Sequence, residues 1–333
     1  MKFRKTAAAV LSFIMTAAVL TGCGTQTSTD TASKSGTDDK VYKIGICQLV
    51  QHKALDAATQ GFKNKLTELL GKDRVKFDEQ NAAGDSATCS TIVNQFVSSG
   101  SDLIFANATA ALQAASSATG DIPIVATSIT DYATALDIDN WTGKTGINVT
   151  GTSDLAPLKE QAEMFKELLP DAKTIGLLYC SSEANSKYQV DIVAKELAAL
   201  GYSTEMYTFA DSNDISAVVT SAVSKCDAMY IPTDNTAAAN TELIANIAEP
   251  AKLPIIAGEE GICKGCGIAT LSISYNDIGQ KAAEMAYDIL VNGKDPADME
   301  VQFAKDLTKK YSAKRAEEMG ITVPSDYEEL AAE

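Results

Sequence analysis

Short apolar runs and helical periodicities alternate along the chain from Val41 onwards. Buried strands are predicted by six apolar runs, Tyr42–Cys47, Asp102–Ala106, Ile122–Thr127, Thr174–Cys180, Ala228–Ile231 and Pro254–Ala257. Between these runs, apolar residues recur at helical spacing in three sets: Leu55, Phe62, Leu66 and Leu69; Ile92, Val93, Phe96 and Val97; and Leu155, Met164, Phe165, Leu168 and Leu169. This alternation is typical of a parallel sheet flanked by helices. The sequence therefore predicts an α/β fold.

The two halves of this pattern resemble each other. The matching segments, in chain order, are 43–46 with 174–177, 101–105 with 226–230, and 122–126 with 253–257. Matches in the same order indicate an internal duplication, although βα units in general look alike. The duplication predicts two similar doubly wound lobes, each a parallel sheet flanked by helices, with a ligand cleft between them.

Ligands of open α/β sheets bind beyond the carboxyl ends of the strands, and two facing lobes direct both sets of ends into one cleft. The residues at or after the predicted strands, or between the two halves, are mostly hydroxyls, amides and carboxylates. The candidate ligand-binding residues are Gln48, Asn107, Thr109, Thr127, Ser128, Asp154, Ser181, Ser182, Glu183, Asn185, Ser186, Asp234, Asn235 and Glu259. Leu55 is an apolar candidate that core packing explains equally well. For Asp154 and Asp234, capping of a following helix is an equally good alternative.

The chemistry of these candidates favours an amino acid. Carboxylates with almost no Lys or Arg around them suit a ligand ammonium group, and hydroxyls with helix N-termini suit a carboxylate. Sugar sites usually contain aromatic platforms, whereas the single Trp, Trp141, falls in a predicted loop. The expected ligand is therefore a zwitterion rather than a sugar or an inorganic anion.

The first 40 residues carry the signature of an exported lipoprotein. Lys2, Arg4 and Lys5 precede an uncharged stretch, which ends in Leu20-Thr21-Gly22-Cys23. This order indicates a signal peptide at 1–22 and resembles a bacterial lipobox, in which Cys23 receives lipid with palmitate among its acyl chains. Residues 24–40 contain no apolar residue larger than Ala, so residues 23–40, which include the lipidated Cys23, are expected to form a flexible tether. The predicted location is the extracytoplasmic face of the cell membrane.

Charge and residue usage weigh against several other classes of protein. A formal net charge of −16 argues against nucleic acid as a partner. His52 is the only His, and no nucleophile elbow or phosphate-binding loop accompanies it, so no catalytic residue, metal or cofactor is predicted. The Cys263 and Cys266 pair falls in a predicted loop, where a local disulfide or two inert thiols are favoured. Thiol redox activity at this pair is the enzymatic alternative.

Five motifs resemble the ABC-transporter substrate-binding family whose characterised members bind tryptophan or tyrosine. In order, the motifs are Gly45–Asp56, Asn148–Asp154, Ser182–Ser186, Pro232–Asn235 and Gly258–Glu260, and the similarity runs from about Tyr42 to Pro324. Two departures lie near the expected cleft. Lys53 stands where Pro is usual, and Asp131-Tyr132-Ala133 replaces the usual Asp-Pro pair.

The resemblance implies a type I periplasmic-binding-protein fold whose chain crosses between the lobes several times. We expect lobe one at 41–152 and 275–300, and lobe two at 153–272 and 301–333. The implied function is capture of an amino acid, with tryptophan, tyrosine and phenylalanine as candidates, by closure of two lobes. The expected partners are that amino acid, an ABC-transporter permease and the membrane, and the protein is expected to be a monomer. An adhesin or sensor that uses the same fold is the non-transport alternative.

Overall fold

The computed structural model describes residues 40–304 and 306–331. The predicted signal peptide, Cys23 and all but the last residue of the predicted tether lie outside the described residues.

A six-stranded parallel sheet forms the first lobe, in the order β11-β5-β4-β3-β1-β2. Its strands are β1 (Tyr42–Gln48), β2 (Val75–Asn81), β3 (Leu103–Asn107), β4 (Ile124–Ile129), β5 (Val149–Ser153) and β11 (Gln302–Phe303). The helices of this lobe are α1 (Lys53–Leu70), α2 (Ser86–Ser98), α3 (Thr109–Ala118), α4 (Tyr132–Leu136) and α11 (Tyr275–Leu290). Every residue of β3 and β4 is buried, as in a parallel sheet covered on both faces.

A seven-stranded sheet forms the second lobe, in the order β13-β12-β10-β9-β8-β6-β7. Its strands are β6 (Thr174–Cys180), β7 (Ser203–Phe209), β8 (Ala228–Ile231), β9 (Ile255–Ala257), β10 (Ala269–Ser272), β12 (Thr308–Tyr311) and β13 (Glu328–Glu329). Only the β10–β12 pair is antiparallel. The helices are α5 (Leu158–Leu168), α6 (Ala184–Ala199), α7 (Ile215–Val223), α8 (Asn235–Ala238), α9 (Thr241–Ala248), α10 (Glu260–Cys266) and α12 (Ala313–Met319).

The duplication predicted from the sequence is visible in the strand order. The three pairs of matching segments lie on β1 and β6, on β3 and β8, and on β4 and β9. In both sheets these strands, with the edge strand, follow the same spatial order, β4-β3-β1-β2 in one and β9-β8-β6-β7 in the other. The prediction of two α/β lobes is therefore confirmed.

The chain passes between the lobes three times, after β5, after β10 and after β11. After the second passage, α11 returns to the first lobe and packs along α1. The Cα atoms of Gly61 and Gly279 lie in this contact, where a Cβ on Gly61 would overlap the carbonyl oxygen of Asn276 and one on Gly279 that of Ala58. Because β11 pairs with β5, residues 302–303 lie in the first sheet, whereas the expected boundary placed everything from 301 in lobe two.

Two local predictions differ from the structure. The segment with Cys263 and Cys266 is not a loop but helix α10, which Glu259 begins by accepting hydrogen bonds from the backbone N–H groups of Gly261 and Ile262. The third helix begins at Leu158, so Leu155 lies outside it. Helix α2 is capped by Asp85, whose carboxylate accepts a hydrogen bond from the N–H of Thr88.

Candidate functional site

A narrow pocket lies between the carboxyl ends of the strands of the two lobes. The first lobe and the passages between lobes contribute His52, Leu55, Ser128, Thr130, Asp154 and Tyr275; the second contributes Asn185, Thr233, Asp234, Asn235, Ala238 and Glu259. The volume of this pocket is about 10 Å³. A cavity of that size has room for about one water molecule. The pocket is therefore closed around very little free volume.

Side-chain contacts join the lobes across this pocket. His52 Nε2 of the first lobe lies 3.3 Å from Asn235 Oδ1 of the second. Gln189 Nε2, on α6, donates to Thr130 Oγ1 of the first lobe at 3.4 Å. Both contacts depend on the lobes being close together, so they belong to a closed arrangement.

Asp154 is a buried carboxylate of the pocket. Two neutral hydroxyls donate hydrogen bonds to its oxygens, Tyr275 OH at 2.8 Å and Thr130 Oγ1 at 3.2 Å. Burial raises the pKa of Asp154 to about 6, although these hydrogen bonds oppose the rise. No Lys or Arg is among the described residues that line the pocket. A ligand cation would therefore find an acceptor here that the protein itself leaves without a counter-charge.

Glu259 faces the same pocket, but its oxygens already hold a helix end. Its carboxylate accepts hydrogen bonds from the N–H groups of Gly261 and Ile262 at the start of α10. Burial nevertheless raises the pKa of Glu259 to about 7, and the nearby charges of Glu260 and Asp154 add to the rise. The position of Glu259 beside Asp154 makes the pocket strongly receptive to a positive charge.

The other two candidate acids hold helix α8. Asp234 accepts hydrogen bonds from Ala237 N and Cys180 N, so the capping role considered for it is confirmed. Glu183 accepts hydrogen bonds from the backbone and side chains of Asn235 and Thr236. Burial raises the pKa of Asp234 to about 7, with the charge of Glu183 as a second cause. These contacts make both acids structural supports of the pocket wall.

The capping role considered for Asp154 is wrong. Helix α5 begins at Leu158, its N-cap residue is Pro157, and the Asp154 side chain bonds Thr130 and Tyr275 instead.

Two buried polar atoms in the pocket have no hydrogen-bond partner within the described residues. They are Ser128 Oγ and His52 Nδ1. Ser128 also adopts a left-handed backbone conformation, with φ 57°, which is uncommon for a residue other than Gly. Burial lowers the pKa of His52, so the neutral ring is favoured. Unsatisfied buried groups and backbone strain are frequent where a ligand completes a site.

The pocket brings together seven of the predicted ligand-binding residues, namely Leu55, Ser128, Asp154, Asn185, Asp234, Asn235 and Glu259. Thr109, Ser182 and Glu183 instead line a recess of about 220 Å³ that shares Asn185 and Asn235 with the pocket. A second recess, of about 390 Å³, shares Glu259 and Tyr275 with it. The remaining candidates do not line any of these three spaces: Gln48, Asn107, Thr127, Ser181 and Ser186.

Those remaining candidates are engaged inside their own lobes. Thr127 Oγ1 and Thr152 Oγ1 are 2.8 Å apart, and Ser181 Oγ donates to the carbonyl oxygen of Phe209. Ser186 is fully buried beside Asp234. The side chains of Gln48 and Asn107 form hydrogen bonds with Thr59 of α1.

Sequence reasoning missed five residues of the pocket: His52, Thr130, Thr233, Ala238 and Tyr275. Three of them could have been predicted from their positions beyond the carboxyl ends of strands, because His52 follows β1, Thr130 follows β4 and Thr233 follows β8. Tyr275 had no such signal, since it reaches the pocket only through the second passage of the chain between the lobes.

The cysteine pair is poorly suited to thiol exchange. Cys263 and Cys266 are free and buried, and burial raises the pKa of Cys266 to about 12 and that of Cys263 as well. A reactive thiol requires the opposite, a lowered pKa and access to solvent.

Residues 40–304 and 306–331 contain no group of three or more His, Cys, Asp or Glu that is arranged to hold a metal ion. No helix in the same residues has the length and apolar character to cross a membrane.

Most of the chain is similar to proteins that are already known. Residues 43–333 match the family of ABC transporter substrate binding proteins. A tyrosine-binding protein of Clostridioides difficile (strain R20291) is 37% identical over 304 residues, which cover 90% of this chain and 88% of that protein. Both similarities extend over the two lobes.

Two solved structures at similar identity differ in how well they superpose. The ABC domain of Streptococcus pneumonia in complex with L-Trp is 36% identical, covers 86% of this chain and 97% of its own, and has a TM-score of 0.82. The ligand-free, open structure of a Clostridium difficile substrate binding protein with adhesive properties is 37% identical, with coverage of 88% and 100%, and has a TM-score of 0.66.

Proposed function

The chain belongs to the family of ABC transporter substrate-binding proteins, and on that premise we propose that it captures an L-α-amino acid with an aromatic side chain. Its role is therefore solute binding for an importer, outside the cytoplasmic membrane. The aromatic ligand is supported by the tyrosine-binding relative and by the neighbour that holds L-Trp. The chemistry of the pocket supports the α-amino acid.

The observation that carries the proposal is the distribution of uncompensated polar groups around the pocket. Asp154 lacks a counter-charge and lies beside Glu259, so this side receives the ligand ammonium. Ser128 Oγ lacks a partner, so its hydroxyl can donate a hydrogen bond to the ligand carboxylate. Neutral His52 directs its Nε2 proton at Asn235 Oδ1, so its Nδ1 offers only an acceptor to the ligand. Leu55, Ala238 and the ring of Tyr275 supply apolar contact for the side chain.

Binding on this proposal requires the lobes to move. A space of about 10 Å³ cannot admit an amino acid, since small-molecule pockets are usually about 300–1,000 Å³. At nearly equal sequence identity the chain superposes better on the L-Trp complex than on the open, ligand-free relative. We take this difference to reflect lobe arrangement, with the present structure near the closed end of a hinge motion.

Calorimetry against a panel of ligands tests the proposal directly. We expect L-tyrosine, L-tryptophan or L-phenylalanine to bind with Kd of about 1 µM or tighter, equivalent to about −8 kcal/mol. Tyramine and tryptamine lack the carboxylate and should bind much more weakly, as should myo-inositol and glucose. Equal binding of tyrosine and tyramine would show that Ser128 does not bind a carboxylate. Preference for a sugar would overturn the ligand class.

Lipid anchoring at Cys23 is a separate part of the proposal, supported by the Leu-Thr-Gly-Cys order at 20–23. A lipid on Cys23 would hold the protein at the membrane close to its permease. Cys23→Ser should move the protein from the membrane fraction to the soluble fraction while amino-acid binding stays unchanged. Retention of this variant in the membrane, with no lipid detected on the wild type, would contradict the anchor.

A further inference from the structure

A buried hydrogen-bond network connects the strand ends of the first lobe to the start of α1. Thr59 Oγ1 donates to Gln48 Oε1 at 2.6 Å and accepts from Asn107 Nδ2 at 2.9 Å. Gln48 Nε2 donates to Asp56 Oδ1 at 2.7 Å and to the carbonyl oxygen of Val50 at 2.9 Å. Asn107 Nδ2 also donates to the carbonyl oxygen of Leu55 at 2.8 Å. One hydroxyl therefore links two neighbouring strands and the first two turns of the helix.

The position of this hydroxyl fixes the direction of every bond in the network. Gln48 and Asn107 face each other in register at the ends of β1 and β3. Thr59 is 3% exposed, so water cannot readily replace its hydrogen bonds. A hydroxyl has one proton to donate, and Thr59 uses it on Gln48 while its lone pair receives Asn107. No other side chain of the network can perform both functions at that place.

The start of α1 carries two pocket residues, and the network adds hydrogen bonds to the apolar packing of this turn. His52 is the N-cap residue of α1, and its side chain makes no capping hydrogen bond. His52 provides Nδ1 to the pocket and Nε2 to the contact with Asn235, and Leu55 lines the pocket one turn later. The network holds this turn through Asp56 and the carbonyl oxygen of Leu55.

We infer that Thr59 is a positioning residue for ligand binding, which acts through Gln48 and Asn107 to hold His52 and Leu55 in the cleft. The inference rests on the proposed function only for its ligand readout, because the order of the helix start can be measured without ligand. Thr59 touches none of the pocket space and therefore affects the ligand only through α1.

The test compares two isosteric changes in the same lobe. Thr59→Val keeps the shape of the side chain and removes both hydrogen bonds. Thr150→Val is the matched control, because Thr150 is fully buried on β5 and its hydroxyl donates one hydrogen bond, to the carbonyl oxygen of Met299. Thr59→Ser restores a hydroxyl and should recover wild-type behaviour.

In Thr59→Val we expect ligand-free hydrogen exchange at the amides of residues 56–59 to be about tenfold faster, since local opening there becomes easier. The Kd for L-tyrosine or L-tryptophan should rise about fivefold or more, because fewer molecules have a competent cleft. Thr150→Val should change neither quantity. Faster exchange with unchanged Kd, or a raised Kd with unchanged exchange, would each overturn the inference.

The two proposals fail in different ways. If the wild type binds no amino acid, the proposed function fails, and the exchange experiment still decides whether Thr59 orders α1. If Thr59→Val does not fold, Gln48→Met interrupts the same network from β1 and should give the same acceleration of exchange. Unchanged exchange in Gln48→Met would overturn the positioning role.

Discussion

Asp154 is a buried carboxyl that the pocket lining leaves without a counter-charge. The hydroxyls of Thr130 and Tyr275 donate hydrogen bonds to it, and its raised pKa reflects the cost of burying an ionised carboxyl without a cation. A ligand ammonium at this place would remove that cost. Because binding of a cationic group would relieve the cost of burying ionised Asp154, that relief would add to the affinity for the ligand.

Asp154→Asn should accordingly weaken amino-acid binding without weakening the fold. We expect Kd to rise more than tenfold, at least about 1.4 kcal/mol, because the ammonium loses its buried partner. The thermal unfolding midpoint should stay equal or increase, since the neutral amide is easier to bury. Asp78→Asn, at an exposed position on β2, is the control for the same chemical change. A Kd unaltered by Asp154→Asn would exclude Asp154 as the ammonium partner.

The raised pKa of Asp154 predicts how ligand binding depends on pH. In the closed protein Asp154 has a pKa of about 6, and a cation beside it lowers this pKa, so the ligand prefers the ionised form. The contribution of Asp154 to affinity should therefore be fully present above about pH 6 and decrease by up to tenfold per unit as the pH falls below it.

Titrations from pH 5 to pH 8 would measure this dependence. His52 acts in the same direction, because its lowered pKa means that protonation opposes the closed state. Asp154→Asn and His52→Gln should each reduce the slope, and the dependence that remains is assigned to Glu259, whose pKa is raised to about 7. Affinity that increases towards pH 5 would contradict both assignments.

Among the elements, the pair formed by α1 and α11 constrains the cleft most directly. Helix α1 carries His52 and Leu55 at its start, and α11 begins with Tyr275, the hydrogen-bond partner of Asp154. The helices approach so closely that only glycine fits at positions 61 and 279. Their contact therefore sets the distance between two sides of the pocket.

Gly279→Ala tests this contact. An Ala inside a helix is normally favoured over Gly by about 1 kcal/mol, but here its Cβ would overlap the carbonyl oxygen of Ala58. We expect the free energy of unfolding to fall by about 1–3 kcal/mol, the usual cost of overpacking, and ligand affinity to fall with it. Gly120→Ala, where no atom lies within 4 Å of the new Cβ, should leave unfolding nearly unchanged. A stabilised Gly279→Ala would show that the helices separate easily.

Sequence patterns predicted the central strands better than the edge strands, for a physical reason. Thr174–Cys180 and Ala228–Ile231 are continuous apolar runs buried on both faces, and the structure has the same bounds. The edge strands β2 and β7 alternate polar and apolar residues because one face is exposed, and their patterns were not assigned. The cap of α10 was also missed, since Glu259 followed by Glu260 and Gly261 carries little helical periodicity.

At the scale of the whole molecule, the lobe motion is the feature that the function requires. The radius of gyration from solution scattering should decrease when saturating L-tyrosine or L-tryptophan is added, as in hinge-type binding proteins. Tyramine at the same concentration is the control. An unchanged profile with a ligand that calorimetry shows to be bound would mean that the lobes do not close around it.

The position of the pocket was predictable from the duplication, but its complete lining was not. Strand ends pointed to Ser128, Asp234 and Glu259, because parallel strands direct their carboxyl ends to one edge. Tyr275 could not be found in this way, because it depends on where the chain crosses between lobes. The distinction between Asp154, which lacks a counter-charge, and Glu183, which holds α8, required the hydrogen bonds themselves.

The three passages between the lobes also determine the order in which the molecule can be completed during synthesis. The first five strands of lobe one leave the ribosome early, yet α11, which covers the glycine face of α1, follows only after most of lobe two. Until then the small-residue face of α1 has no native partner. Lobe one therefore reaches its final packing late, and a chain that stops before Tyr275 lacks part of both its core and its cleft.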